Sequence, residues 1–132
     1  MKAQASMEYL IIIAFLLLAV GLLFVLSLIM FDDSSRFSAA QIAISKLKNA
    51  ADEVDGLGEG NTRIVEIVLP KGVTAGRGLE NVIEFTIGIS GTTTSAKEFP
   101  NAKVTYVSLP ISEGIHFIRV ESIDGNVLLS EV

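Results

Sequence analysis

The chain has 132 residues, half of them apolar, no cysteine and a formal net charge of −5. The lack of cysteine excludes a disulfide framework and a thiolate metal site. No block of Lys and Arg is present to neutralise phosphates, so no nucleic-acid partner is expected. The apolar residues are unevenly placed: Tyr9 to Phe31 forms 23 residues without a charge, of which only Gly21 and Ser27 are not apolar. Outside that run the apolar share falls to about 41%, an ordinary globular level. A single such run excludes a purely cytosolic globule, a disordered chain and a multi-span transporter. The hundred or so remaining residues are too few for a large enzyme core.

As a helix rising 1.5 Å per residue, the run covers roughly 34 Å, enough for a hydrocarbon core of about 30 Å. A secretory signal would have a shorter apolar stretch and a small-residue cleavage site behind it. Leu28-Ile29-Met30-Phe31-Asp32-Asp33 has no such site, so the segment is expected to be retained. Lys2 precedes it, and no Lys or Arg follows until Arg36, which puts the N-terminus in the cytoplasm and the chain after Asp32 outside.

Beyond the run, Phe37, Ala40, Ile44, Leu47, Ala51 and Val54 recur at spacings of three and four, the stripe of an amphipathic helix. Ser34 or Ser35 could cap a separate helix there, with Asp32 and Asp33 near its positive end. Equally, no proline precedes Pro70, so one helix from about Ser6 to Val54 is allowed. The helical pattern stops at Gly56, where Gly56-Leu57-Gly58-Glu59-Gly60-Asn61 reads as a glycine-rich linker.

From residue 62 the period changes to two. Asn81, Ile83, Phe85, Ile87 and Ile89 alternate with Val82, Glu84, Thr86 and Gly88, a strand with one buried face. Arg63–Leu69, Ala102–Leu109, Ile115–Ile123 and Val127–Val132 also read as strands. Turns are expected at Pro70-Lys71-Gly72, Gly91-Thr92-Thr93-Thr94, Pro110 to Gly114 and Asp124-Gly125, the last favouring a tight type I′ hairpin. The expected fold is α+β: a long hydrophobic helix continuing into an amphipathic one, packed on a small antiparallel sheet or sandwich of five strands. The stripe from Phe37 to Val54 supplies the cover that so small a sheet needs.

Chemistry is sparse. His116 is the one histidine, between Ile115 and Phe117 in a strand, and reads as structural. With no Cys and one His, a transition-metal site lacks ligands. Asp52, Glu53, Asp55 and Glu59 miss the spacing of a calcium loop and read as a solvated helix end. Gly72, Gly76 and Gly78 lack the Gly-Lys-Ser/Thr ending of a phosphate loop and read as a turn. No Asn starts a glycosylation sequon. No catalytic residue, cofactor or metal is expected, and the chain does not read as an enzyme.

Glu8 is the anomaly, a carboxylate one position before the apolar run. Ser6 could cap the helix, and an acid in the first turn suits the helix dipole by a few tenths to about 1 kcal/mol. Its neighbours give a second reading. Met1-Lys2-Ala3-Gln4-Ala5-Ser6-Met7-Glu8-Tyr9-Leu10, followed by the apolar helix, resembles the class III signal peptide of archaeal type IV pilin-like proteins, through Gln4-x-Ser6-x-Glu8-Tyr9-Leu10. The resemblance covers the first 31 residues. It implies that a prepilin peptidase removes a leader of residues 1–3 by cutting between Ala3 and Gln4. It further implies that Gln4, Ser6, Glu8 and Tyr9 serve peptidase recognition and assembly, with Glu8 setting register against a neighbour's amino group. Many relatives have Gly where Ala3 stands.

The chain then divides into leader 1–3, helix 4–55, linker 56–61 and β domain 62–132. An all-apolar helix suits lipid first and a helix bundle afterwards. The expected function is a structural subunit, a pilin rather than an archaellin, of an extracellular type IV pilus-like filament used for adhesion. Its expected partners are the membrane before assembly, the prepilin peptidase, the pilus assembly machinery and other copies of itself. The alternative is a single-span, signal-anchored membrane protein whose extracytoplasmic β domain binds a ligand.

Overall fold

Backbone geometry in the computed structural model is described for residues 2–132, and side chains from Ser6 onward. The expected leader cut at Ala3 and Gln4 therefore lies outside the fully described residues. Helix α1 runs Lys2–Leu57 without a break at Asp32–Ser35, which decides between the two helix readings. The chain forms two compact units, Met1–Ser34 and Ser35–Val132. In the first, the apolar residues point outward on all sides, as a sequence with no polar stripe requires.

The second unit holds the rest of α1 and seven strands: β1 (Thr62–Leu69), β2 (Val73–Glu80), β3 (Val82–Ile89), β4 (Thr92–Glu98), β5 (Val104–Ser108), β6 (Gly114–Ile123) and β7 (Asn126–Glu131). They form one mixed sheet in the order β1-β6-β7-β5-β2-β3-β4. All pairings are antiparallel except β5 with β7, which meet in parallel at Val104 and Val127.

Two strands replace expected turns. Residues around Gly76 and Gly78 form β2, because those glycines are spacers rather than bends: a Cβ on Gly76 would lie 2.5 Å from the Phe85 ring, and one on Gly78 would lie 3.0 Å from Val104. Thr92–Thr94 belong to β4, since the turn is only Ser90-Gly91, both with positive φ. The Asp124-Gly125 hairpin is as expected, with φ of 51° and 73° joining β6 to β7.

The helix stripe packs on one face of the sheet. Ala40, Ile44, Leu47, Ala51 and Val54 are buried, Phe37 lies at the margin, and Ala43 and Ala50 widen the contact. Across from them lie Ile67, Ile83, Phe85, Ile87, Ile118, Val120 and Leu129. Alanines at 40, 43, 50 and 51 remove side-chain bulk where helix and sheet meet. Each fully buried Leu or Ile adds about 1.5–3 kcal/mol.

The helix exit is tightly held. Gly58 N–H donates to Asp55 O, and Asn61 Nδ2 donates to the carbonyls of Leu57 and Gly58, each at 2.9 Å, closing the helix end. Gly60 N–H then donates to Ser122 O, and Ser122 N–H to Asn61 O, so the linker joins β6 before β1 begins.

Candidate functional site

The residues singled out near the N-terminus lie on the first turns of α1. Ser6, Glu8 and Tyr9 are all exposed, and Glu8 is followed at once by the apolar surface. That surface is long and apolar enough to cross a membrane, and 0% of its most apolar window is buried within the chain. Phe15, Leu18, Phe24 and Phe31 are among its most exposed side chains. An isolated helix of this kind is not stable in water; it needs lipid or other apolar helices around it. Glu8 then sits where such surroundings begin, and it favours a partner of opposite charge once water is excluded.

In the second unit the polar groups serve the architecture. Glu84 is 6% exposed on the outer face of the sheet. Arg77 grips it from β2, Nη2 at 2.9 Å and Nε at 3.2 Å, and Lys97 stands 3.5 Å away on β4. Burial is the largest influence on its acidity and pushes it upward. Hydrogen bonds from Ser95 and Arg77 and the charges of Arg77 and Lys97 together outweigh that, holding the carboxyl below its usual range.

His116, with a side chain 10% exposed, meets Glu131 Oε1 through Nδ1 at 2.6 Å and the Ser112 carbonyl through Nε2 at 2.8 Å. Both neighbours accept, so both ring nitrogens donate and the charged imidazole is favoured. The Glu131 hydrogen bond, opposed by burial and helped by Ser112, raises its pKa. The reading of His116 as structural fits this clamp on the last strand. Its partners lie four and fifteen residues away and carry no local sequence signal.

An open groove of about 470 Å³, which no local sequence pattern signals, lies between α1 and β1. Lys46, Asn49 and Glu53 line one wall and Arg63 to Glu66 the other; Lys46 Nζ donates to Glu66 O, and Arg63 pairs with Glu53. Arg63 and Glu53 form the ion pair of the groove, Lys46 is taken up by a backbone carbonyl, and no nucleophile with an adjacent base is present in it. Among the described residues no group of three His, Asp or Glu side chains is placed to hold a metal ion.

No protein-family model, no curated protein and no solved structure matches the chain.

Proposed function

We propose that the chain is a structural subunit of an extracellular type IV pilus-like filament, trimmed between Ala3 and Gln4 and assembled through its apolar helix. The observation that carries this reading is the surface from Tyr9 to Phe31, apolar on every side, entirely unburied, and preceded by Gln4-x-Ser6-x-Glu8-Tyr9. In the membrane precursor lipid covers it; after extraction, other copies do. The β domain forms the outer part of the filament and makes its surface contacts.

Mass spectrometry of the mature N-terminus, with electron microscopy of sheared surface filaments, tests the proposal. A chain starting at Gln4 and present in filaments supports it. An untrimmed N-terminus, with all of the protein in the membrane, replaces it with a signal-anchored binding protein.

A further inference from the structure

Ser112 presents two oxygens to one nitrogen. Its carbonyl lies 2.8 Å from His116 Nε2 and its hydroxyl 3.3 Å from the same atom, while His116 Nδ1 meets Glu131 Oε1 at 2.6 Å. The carbonyl only accepts, whereas the hydroxyl both donates and accepts and turns to suit its neighbour. The two oxygens therefore suit different protonation states of the ring. A charged imidazole carries an N–H on each nitrogen and satisfies Glu131 and the Ser112 carbonyl together. A neutral ring keeps one proton, and the other nitrogen becomes an acceptor.

Glu131 decides which nitrogen that is. A bare Nδ1 would set a lone pair against an ionised carboxylate that has no proton to give. A bare Nε2 faces a neutral carbonyl, and the Ser112 hydroxyl stands beside it as a donor. The neutral ring is therefore held as Nδ1–H, with Glu131 as its fixed partner and the bond to the Ser112 carbonyl lost. No other charge competes: β1 sets Ile67 opposite His116 and Glu66 opposite Phe117, on the other face of the sheet. Glu113 and Arg119 are the nearest charged residues along the chain, and among the described residues Glu131 alone, from β7, adds a coulombic pull on the ring. The backbone around Ser112 allows the change of partner. Buried Leu109 fixes one end of the connection through its N–H to Gly76 O, and Gly114, opposite Leu69, fixes the other. Ile111, Ser112 and Glu113 between them are exposed, and Gly114 has a φ of 129°, a region in which glycine moves without a Cβ penalty.

We infer that the connection between β5 and β6 is a proton-operated latch: Ser112 holds the charged His116 ring by its carbonyl and the neutral ring by its hydroxyl, while Glu131 stays bonded in both states. The movement is confined to residues 110–113, which carry the exposed Ile111, and β7 keeps its place. NMR titration of the isotope-labelled full chain in detergent tests the latch, with His116 as the single imidazole. Above the titration, the 15N shifts of the ring are expected to show a proton on Nδ1 and a bare Nε2. The 13C resonance of the Ser112 carbonyl is expected to move with the same midpoint as the ring. Ser112→Ala removes the hydroxyl at an exposed position and leaves the carbonyl, so only the neutral state loses a partner. Its midpoint is expected to rise, by about two- to fivefold in proton affinity, opposite to the direction expected of Glu131→Gln. A neutral ring that carries its proton on Nε2 overturns the latch, since the carbonyl bond then persists, as does a Ser112 carbonyl resonance that does not titrate. A Ser112→Ala midpoint equal to or below that of the parent overturns it as well, leaving His116 a clamp with a single arrangement.

Discussion

The Asp52 carboxylate accepts the backbone N–H of Asn101 at 2.7 Å, fastening the last turns of α1 to the connection between β4 and β5. The same oxygen takes the N–H of Ala102 at 3.1 Å, and the Asn101 side-chain amide approaches the second oxygen. Two backbone donors that no strand satisfies thus find a partner forty-nine and fifty residues away. In the acidic group read as a solvated helix end, Asp52 therefore has a structural task, and Glu53 pairs with Arg63.

Asp52→Ala leaves those two donors to water, and a partly exposed site moderates the loss. The variant is expected to be less stable than the parent by about 1–2 kcal/mol in urea denaturation of the full chain in detergent. Asp52→Asn, which keeps an acceptor oxygen, is expected to lose less than Asp52→Ala; equal losses would contradict the hydrogen-bond account.

Gly76 is a matter of space. An added methyl would lie 2.5 and 2.8 Å from two carbons of the Phe85 ring and 3.1 Å from Leu109 Cβ, and Phe85 is fully buried. Gly76→Ala is expected to destabilise by about 1–3 kcal/mol through overpacking. Combining it with Phe85→Leu should recover part of that loss relative to Phe85→Leu alone, a non-additivity visible in a double-mutant denaturation cycle.

These two sites show how far the sequence is legible. The stripe from Phe37 to Val54 and the alternation through Phe85 are periodic, and periodicity predicts both the buried helix face and β3. Around Gly76 and Gly78 the pattern is interrupted because the missing side chains are supplied by Phe85 and Val104 from neighbouring strands, so β2 resembles a turn. β4 is rich in threonine and lies at the sheet edge, with few apolar residues to mark it. By contrast, Ser6, Glu8 and Tyr9 lie within a few positions of one another in the sequence, and the exposed helix follows directly from composition.

His116 links stability to pH. Its pKa in the folded chain is raised above the ordinary value of about 6.5, so its contribution is complete below that value. The contribution is lost as the pH climbs through the raised pKa. As the single histidine, it gives one imidazole signal in an NMR titration. The expected midpoint lies above 6.5 in the parent and falls in Glu131→Gln; an unchanged midpoint would remove Glu131 as the principal cause.

Under the filament proposal, Glu8 bears on assembly instead of folding. Glu8→Ala removes a carboxylate from the edge of the apolar helix without shortening it, so membrane insertion, read by fractionation, is expected to match the parent. Filament yield by electron microscopy is expected to fall at least about tenfold, as loss of one buried charge pair of more than 1.4 kcal/mol implies. Filaments in undiminished number would exclude Glu8 from the assembly step.

The pairing of Gly60 and Asn61 with Ser122 has a mechanical consequence. A glycine-rich connection ordinarily behaves as slack, lengthening under tension before anything folded feels a load. Here the slack is already taken up, because the connection is laced to β6, the strand next to the sheet edge. A tug arriving at Leu57 passes within a few residues to the β1–β6 ladder, whose eight residue pairs share it. The joint between helix and sheet is a stiff coupling, suited to a component that must transmit force without stretching.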